Sequence, residues 1–281
     1  MTRRRAEPVT IVAAGAVTPL GADLDGFWSG LVTGTDGISM IERFPVDDLR
    51  VGRGGEIKKL KPMPPVGRAG CRATQLLLAA AQDLIARAPL AAAPERVAVV
   101  VGTALGGVEQ LERAIAQNGR VRHAASAFYD SPAHGLARWL GARGPVRTIG
   151  TACAAGATAL GTGAELLHAG VVDAVIAGGY DGLCRFVMRG FDALRSLTRE
   201  RIRPFDRRRS GLLLGEAAAL VLMTRDEDGG GPRLGRLLGH ASASDGSHIS
   251  APDPNGRGLE FAVRTALDEA GLTADSIEFV S

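Results

Sequence analysis

Short runs of β-branched and apolar residues recur along the chain, each running into glycine and then into a stretch with helical spacing. VTIVAAG at 9–15 predicts a buried strand. DLDGFWSGLVTG after it predicts a helix that puts Leu24, Phe27, Trp28 and Leu31 on one face and stops at Gly34. Residues 44–65, with Gly54, Gly55, Pro62, Pro64 and Pro65, read as an irregular surface excursion. The pattern then resumes with a helix over 72–88, a strand over 96–102, helices over 107–117 and 131–140, a strand over 146–150, a helix over 154–169 and a strand over 173–179. This alternation predicts a mostly parallel sheet covered by helices. The helix over 154–169 is small or apolar nearly all round, as expected of a helix buried between layers.

The charged, glycine-rich segment TRDEDGGGPR at 224–233 marks a junction. Beyond it LGRLLGHASASD is strand-like, GRGLEFAVRTALDEAGL is an amphipathic helix stopped by Gly271, and IEFVS begins a further strand.

Composition narrows the function classes. A length of 281 residues with 46% hydrophobic residues suits two domains or one large layered one and excludes a disordered chain. The net charge is only +3, Lys58, Lys59 and Lys61 are the only lysines, and aromatics make up 4%, so neither a basic stripe nor stacking platforms for nucleic acid are present. No run approaches the roughly 18 apolar residues of a membrane span. The N-terminal MTRRRAEPVTIVAAGAV has the charge order of a secretory leader, but Gly15, Pro19 and Gly21 interrupt it and no cleavage site follows. Three cysteines at unrelated spacings form neither a disulfide framework nor a zinc pattern, so a reducing cytoplasmic location is expected.

One cysteine stands in unusual company. TIGTACAAGATALGTG at 148–163 sets Cys153 just after a predicted strand and at the start of a predicted helix, with Thr151 near the N-cap. A helix N-terminus there can stabilise a thiolate and hold an oxyanion. Close packing, with the thiol as a small hydrophobe, explains the same residues, and spacing alone leaves both readings open. GTALGG at 102–107 misses the dinucleotide-loop spacing, no lysine follows a glycine-rich loop, and no cysteine–histidine cluster offers a metal site, so neither a metal nor an organic cofactor is expected. His168 closes a helix, where a cation is welcome. His248, in SASDGSHISAPDPNG, is the most tempting base, but nothing in the sequence pairs it with Cys153. Asp181, Asp206 and Glu216 sit near turns and read as structural.

Taken in order, VTIVAAGAVTPLG, FWSGLVTGTDGI, VVVGTALGG, GTACAAG, DAVIAGGYDG, GFDALRSLT and RPFDRRRSGLLLGEAAALVL resemble the β-ketoacyl-acyl-carrier-protein synthases, above all the elongating condensing enzymes of fatty acid and polyketide assembly. The resemblance covers nearly the whole chain. It implies an α/β, thiolase-like layered αβαβα fold, with the N-terminal, nucleophile-bearing half in 1–228 and the beginning of a truncated C-terminal half in 229–281. It makes Cys153 the acyl-accepting nucleophile, with its own N–H as one oxyanion donor. Leu105, Phe128 and Phe191 fall where the family lines its acyl channel. Arg68, Arg72, Arg122 and Arg195 fall where it receives an acidic acyl carrier protein bearing phosphopantetheine-linked acyl and malonyl groups. A homodimer, or a heterodimer with a ketosynthase-like chain, is implied as well, through the strand before the nucleophile.

The family reaction is acyl transfer to the cysteine followed by decarboxylative Claisen condensation with malonyl-carrier protein. The histidines that drive the second step belong to the family's C-terminal half, and this sequence reaches Ser281 just short of the first of them. LLLGEAAAL is also less glycine-rich than the family pattern. The alternative is therefore a non-catalytic ketosynthase-like partner, or a truncated fragment, that binds carrier protein or a full-length ketosynthase without condensing. Chain-length-factor-like partners usually lack the cysteine, so Cys153 favours the enzyme lineage.

Overall fold

The structure is a computed structural model that describes residues 7–61, 63, 71–118, 126–225, 233–248 and 251–281. Its frame is a six-stranded sheet in the order β5-β4-β6-β7-β1-β8. The strands are β1 (Val9–Val17), β4 (Val97–Gly102), β5 (Val146–Ile149), β6 (Ala174–Asp181), β7 (Ala217–Arg225) and β8 (Gly235–Leu237), while β2 (Ser39–Met40) and β3 (Arg53–Gly54) form a small separate ladder. The helices are α1 (Leu24–Val32), α2 (Arg72–Arg87), α3 (Val108–Ala116), α4 (Ser131–Leu140), α5 (Ala155–His168), α6 (Arg185–Ala193) and α7 (Arg257–Ala270).

The sheet is mixed, which corrects the expectation of a mostly parallel one. β5, β4 and β6 run parallel, but β7 returns antiparallel beside β6, and β1 and β8 continue antiparallel beyond it. The apolar run of β7 enters the sheet by way of α6 and a long irregular stretch rather than a βαβ crossover, so it is free to take the opposite direction.

Strand alternation divides the core into two layers. Val97, Val99 and Val101 of β4 point to the layer built on α2, with Leu76, Leu77, Ala80 and Leu84 fully buried beneath them. Ala98 and Val100 point the other way, toward Ala159, Ala164 and Leu167 of α5. Both faces being covered, these strands carry almost no polar residue. A third, smaller cluster holds the 39–54 excursion against α6 through Ile41, Val51, Leu183, Met188 and Leu197.

Two sequence readings change here. The α1 face expected to be buried is largely exposed, with Trp28 at 67% and Leu31 at 49%; the residue of α1 that is buried is Gly30, whose missing side chain lets Leu20 approach. The strand expected in 234–245 is confined to β8, and no strand is formed in 277–281.

The poverty of side chains around α5 has a direct cause. A Cβ on Gly102, the last residue of β4, would lie 2.2 Å from the backbone carbonyl of Ala155, and one on Gly179 would lie 3.3 Å from Gly156 Cα, a less severe contact. The first turn of α5 therefore rests on the bare backbone of β4 and β6, and this contact fixes where the residues just before the helix stand. Gly102→Val is expected to destabilise the protein by about 3 kcal/mol, because the colliding atoms are backbone and cannot rotate away. Urea unfolding of the variant beside the unaltered chain measures this.

Candidate active site

Cys153 stands at the top of that contact. The chain leaves β5 at Ile149, makes one turn of 3-10 helix over Ala152–Ala154 and enters α5. Ala152 takes the left-handed region at φ +50°, a conformation that costs a non-glycine residue energy and persists only where the surroundings impose it. Thr151 does not cap the helix with its side chain as expected: the N-cap is Ala154, and the Thr151 hydroxyl donates instead to Thr158 Oγ1 at 3.1 Å. Thr158 in turn donates to the Ala154 carbonyl at 3.0 Å.

Exposure separates the three thiols. Cys153 is exposed, whereas Cys71 and Cys184 are buried. Burial pushes the Cys71 thiol up, and it pushes Cys184 up to about 12. Of the three, only Cys153 is both accessible and set at a helix start, where first-turn N–H groups lack intrahelical acceptors.

Cys153 opens onto a cavity of about 730 Å³. One wall is apolar, with Pro19, Leu20 and Phe27 from the β1–α1 region, Ile38 from the excursion, and Ile202 and Leu213 from the stretch before β7. The opposite wall is the strand ends themselves, Gly102, Thr103 and Ala104 after β4 and Gly179 to Asp181 in β6. Glu216 reaches the lining from the stretch before β7. A cavity of this size and character suits a small apolar group brought to a nucleophile. No histidine among the described residues lines it.

Glu216, 2% exposed, is the hub of a buried charge network that the sequence did not show. Arg72 Nε donates to its Oε2 at 3.2 Å and Arg72 Nη2 donates to its Oε1, while Arg43 Nη1 donates to Oε2 at 3.1 Å. The backbone N–H groups of Ile57 and Leu183 donate to the same carboxylate at 3.0 and 3.2 Å. Arg43 also pairs with Glu109 at 2.6 Å, which ties α3 into the network. Nearby Glu56 is pushed up by burial, but Lys58 and the backbone N–H groups of Glu42 and Arg43 outweigh that and hold it below the usual carboxylate range.

The other expected site residues are dispersed. Leu105 lies in the β4–α3 loop, next to the lining residues Thr103 and Ala104, but Leu105, Phe128 and Phe191 do not themselves line the cavity. Phe128 is 68% exposed just before α4, and Phe191 packs on the cluster around Leu183 and Met188. Arg68 and Arg122 fall outside the described residues. Arg72 is a correction: its guanidinium is turned inward to Glu216 and to the Ile57 carbonyl, leaving the side chain 14% exposed, so its charge faces the core and not a partner. Arg195 is exposed at the end of α6. His248 lies outside the cavity lining, its Nδ1 accepting from the Ala251 N–H at 3.1 Å. His168 bonds the Glu7 carbonyl at 2.6 Å. Asp206 closes its own turn by accepting from the Arg208 N–H at 2.7 Å.

Comparison with solved structures defines the class. The chain matches one chain of the ishigamide ketosynthase/chain length factor with a TM-score of 0.91 at 27% identity, over 98% of this chain and 73% of that one. It matches a ketosynthase solved in complex with its chain length factor from Xenorhabdus doucetiae with a TM-score of 0.82 at 33% identity, over 96% and 70%. Its fold is the thiolase-like fold of the condensing enzymes. Residues 6–229 match the beta-ketoacyl synthase N-terminal domain and residues 234–281 the beta-ketoacyl synthase C-terminal domain, and the chain belongs to the β-ketoacyl synthase family. Relatives include the 3-oxoacyl-[acyl-carrier-protein] synthase 2 of Synechocystis sp., 31% identical over 97% of this chain and 71% of its own length, and that of Staphylococcus aureus, 28% identical over 97% and 72%. Among the described residues no helix is long and apolar enough to cross a membrane.

Proposed function

We propose that Cys153 accepts an acyl group from a carrier-bound thioester and holds it in the adjoining cavity. The thiolate sulfur attacks the thioester carbonyl carbon, the carbonyl π electrons move onto oxygen, and the tetrahedral adduct collapses with loss of the carrier's phosphopantetheine thiolate, which takes up a proton. The N–H of Cys153 and the start of α5 face the developing oxyanion. The observation that carries this reading is the joint placement of the accessible thiol and the apolar cavity at the ends of β4, β5 and β6.

In the complete reaction a malonyl-carrier thioester loses carbon dioxide, and the resulting enolate carbon attacks the Cys153 thioester to give a β-ketoacyl-carrier and the free thiolate. Loss of carbon dioxide needs donors aimed at the enolate oxygen, and the described cavity offers no histidine for that purpose. Residues 1–228 supply the nucleophile half on this reading, and residues 229–281 begin the second half.

Arg195, with Arg68 and Arg122, is our candidate contact for an acidic carrier protein. Leu105 is our candidate for acyl contact beside the cavity, and Phe128 and Phe191 are candidates for a more distant part of the channel. The outer edge of β5 has no partner strand among the described residues, and a second ketosynthase-like chain pairing there would satisfy it.

The test is incubation of the 281-residue chain with acyl- and malonyl-carrier protein. An acyl adduct on Cys153 by mass spectrometry, without β-ketoacyl product, is expected. An adduct on Cys71 or Cys184, or none, overturns the reading. The second reading, a ketosynthase-like subunit that pairs without condensing, gains support from the solved ketosynthase and chain length factor complex, and it predicts no adduct on Cys153.

A further inference from the structure

Asp181 ends β6 and lines the same cavity as Cys153, yet its carboxylate is bonded sideways into the loop after β4. Its Oδ1 accepts from the Thr103 hydroxyl at 2.6 Å and from the Leu105 N–H at 3.0 Å, and the Ala104 N–H lies 3.2 and 3.1 Å from its two oxygens. Thr103 completes the arrangement: while donating to Asp181, its hydroxyl accepts from the N–H groups of Leu105 and Gly106 at 3.1 and 2.9 Å. Tyr129 donates its phenolic proton to the Thr103 carbonyl, and the Thr103 N–H donates to the Ile149 carbonyl at 3.0 Å. Three consecutive backbone donors thus converge on one carboxylate and one hydroxyl. Without Asp181 the N–H groups of Ala104 and Leu105 would lose their carboxylate acceptor.

We propose that Asp181 is a positioning residue whose carboxylate fixes the 103–106 loop, and with it the Thr103 and Ala104 part of the wall of the Cys153 cavity, and thereby sets how long an acyl group Cys153 accepts. Its oxygens are occupied by these donors, which suits a fixed support and not a proton acceptor. Asparagine keeps the shape and the Oδ1 acceptor but replaces Oδ2 with an NH₂ that opposes the Ala104 N–H, so the loop is held less tightly. The effect falls on long groups, which fill the cavity, more than on short ones.

The first test does not depend on catalysis. Cys153 is alkylated with iodoacetamide and with N-octyl iodoacetamide, and both rates are followed by intact mass. In Asp181→Asn the octyl-to-small rate ratio is expected to fall about tenfold relative to the unaltered chain, with the iodoacetamide rate held within about twofold. Thr103→Val, which removes the hydroxyl from the same arrangement, is expected to lower the ratio in the same direction. Asp181→Glu, which restores the charge, is expected to recover part of it. An unchanged ratio in both Asp181→Asn and Thr103→Val overturns the proposal, and so does an equal fall in both rates together with loss of the melting transition.

The acyl-length conclusion rests on the acyl-acceptance reading, and short- and long-chain acyl thioesters test it in a second arm. If neither the unaltered chain nor any variant takes up an acyl group while the alkylation ratio still falls, the acyl-acceptance reading fails and the positioning role stands. If acyl groups load with the same length preference in all variants, the proposal itself fails.

Discussion

Cys153→Ala is expected to lower acyl uptake from an acyl-carrier thioester by at least about 1,000-fold, since removal of a covalent nucleophile leaves only binding and oxyanion stabilisation. Cys153→Ser, nearly the same size, is expected to fall almost as far, because an alcohol is a far weaker nucleophile than a thiolate and no histidine among the described lining residues stands by to take its proton. The two variants together separate nucleophilicity from packing: if the small residue mattered only for the close approach of α5, Ser would behave as Cys. Iodoacetamide supplies an independent check. At pH 8 a thiol with a pKa of about 12 is ionised in only about one molecule in 10,000, and Cys184 is buried besides. Label on the folded protein is therefore expected on Cys153 alone and is expected to vanish in both variants. Acyl uptake retained within about tenfold in Cys153→Ala would remove this cysteine from the chemistry.

Cys153 was legible as a candidate because it sits where local patterns meet. A short β-branched run, VRTIG, and a small-residue helix beginning a few residues later can be read without long-range contacts, and β4, β5, β6 and α5 lie within a residue or two of where their patterns put them. Strand direction was not legible in the same way. Nothing local tells β7 to run against β6, since AAALVLMTR reads the same in either direction and the choice is made by the route the chain takes through 182–216. The exposed α1 face shows a second limit: Trp28 and Leu31 have the spacing of a buried stripe, but contact is made through Gly30, a residue that a hydrophobic pattern scores as empty.

Charges were the least legible part of the site. Arg72 and Glu216 are 144 residues apart, and each looks like an ordinary surface or turn residue in its own neighbourhood. Asp181 follows a glycine-rich strand end and reads as a turn former, while its actual partners, Thr103 to Leu105, come from the loop after β4, a strand that is its neighbour only in the sheet. The one available signal was that an acidic residue directly abuts the apolar run AAALVL, a position that cannot stay solvated once the strand is buried.

Glu216 should therefore be the residue whose loss costs the fold most. With its side chain wholly buried and those of Arg72 and Arg43 only 14% and 20% exposed, Glu216→Ala takes the counter-charge from the Arg72 guanidinium, leaves Arg43 with Glu109 alone, and leaves two backbone N–H groups without this acceptor. Breaking a buried ion pair from one side costs about 3–5 kcal/mol, and the expected destabilisation lies in that range. Glu216→Gln keeps one carbonyl acceptor and the shape but not the charge, so it is expected to cost less, about 1–3 kcal/mol, and to remain folded if the alanine variant does not. Guanidinium unfolding measures both, and the order Ala worse than Gln is the part that belongs to the network, since Gln and Glu fill the same space. The cavity wall should respond as well, because Glu216 lines it and anchors Leu183 just beyond β6. Slower alkylation of Cys153 by a long-chain reagent in the folded Gln variant is the expected sign. An alanine variant within about 0.5 kcal/mol of the unaltered chain would mean that the arginines find other partners or solvent, and that this carboxylate does not hold the site together.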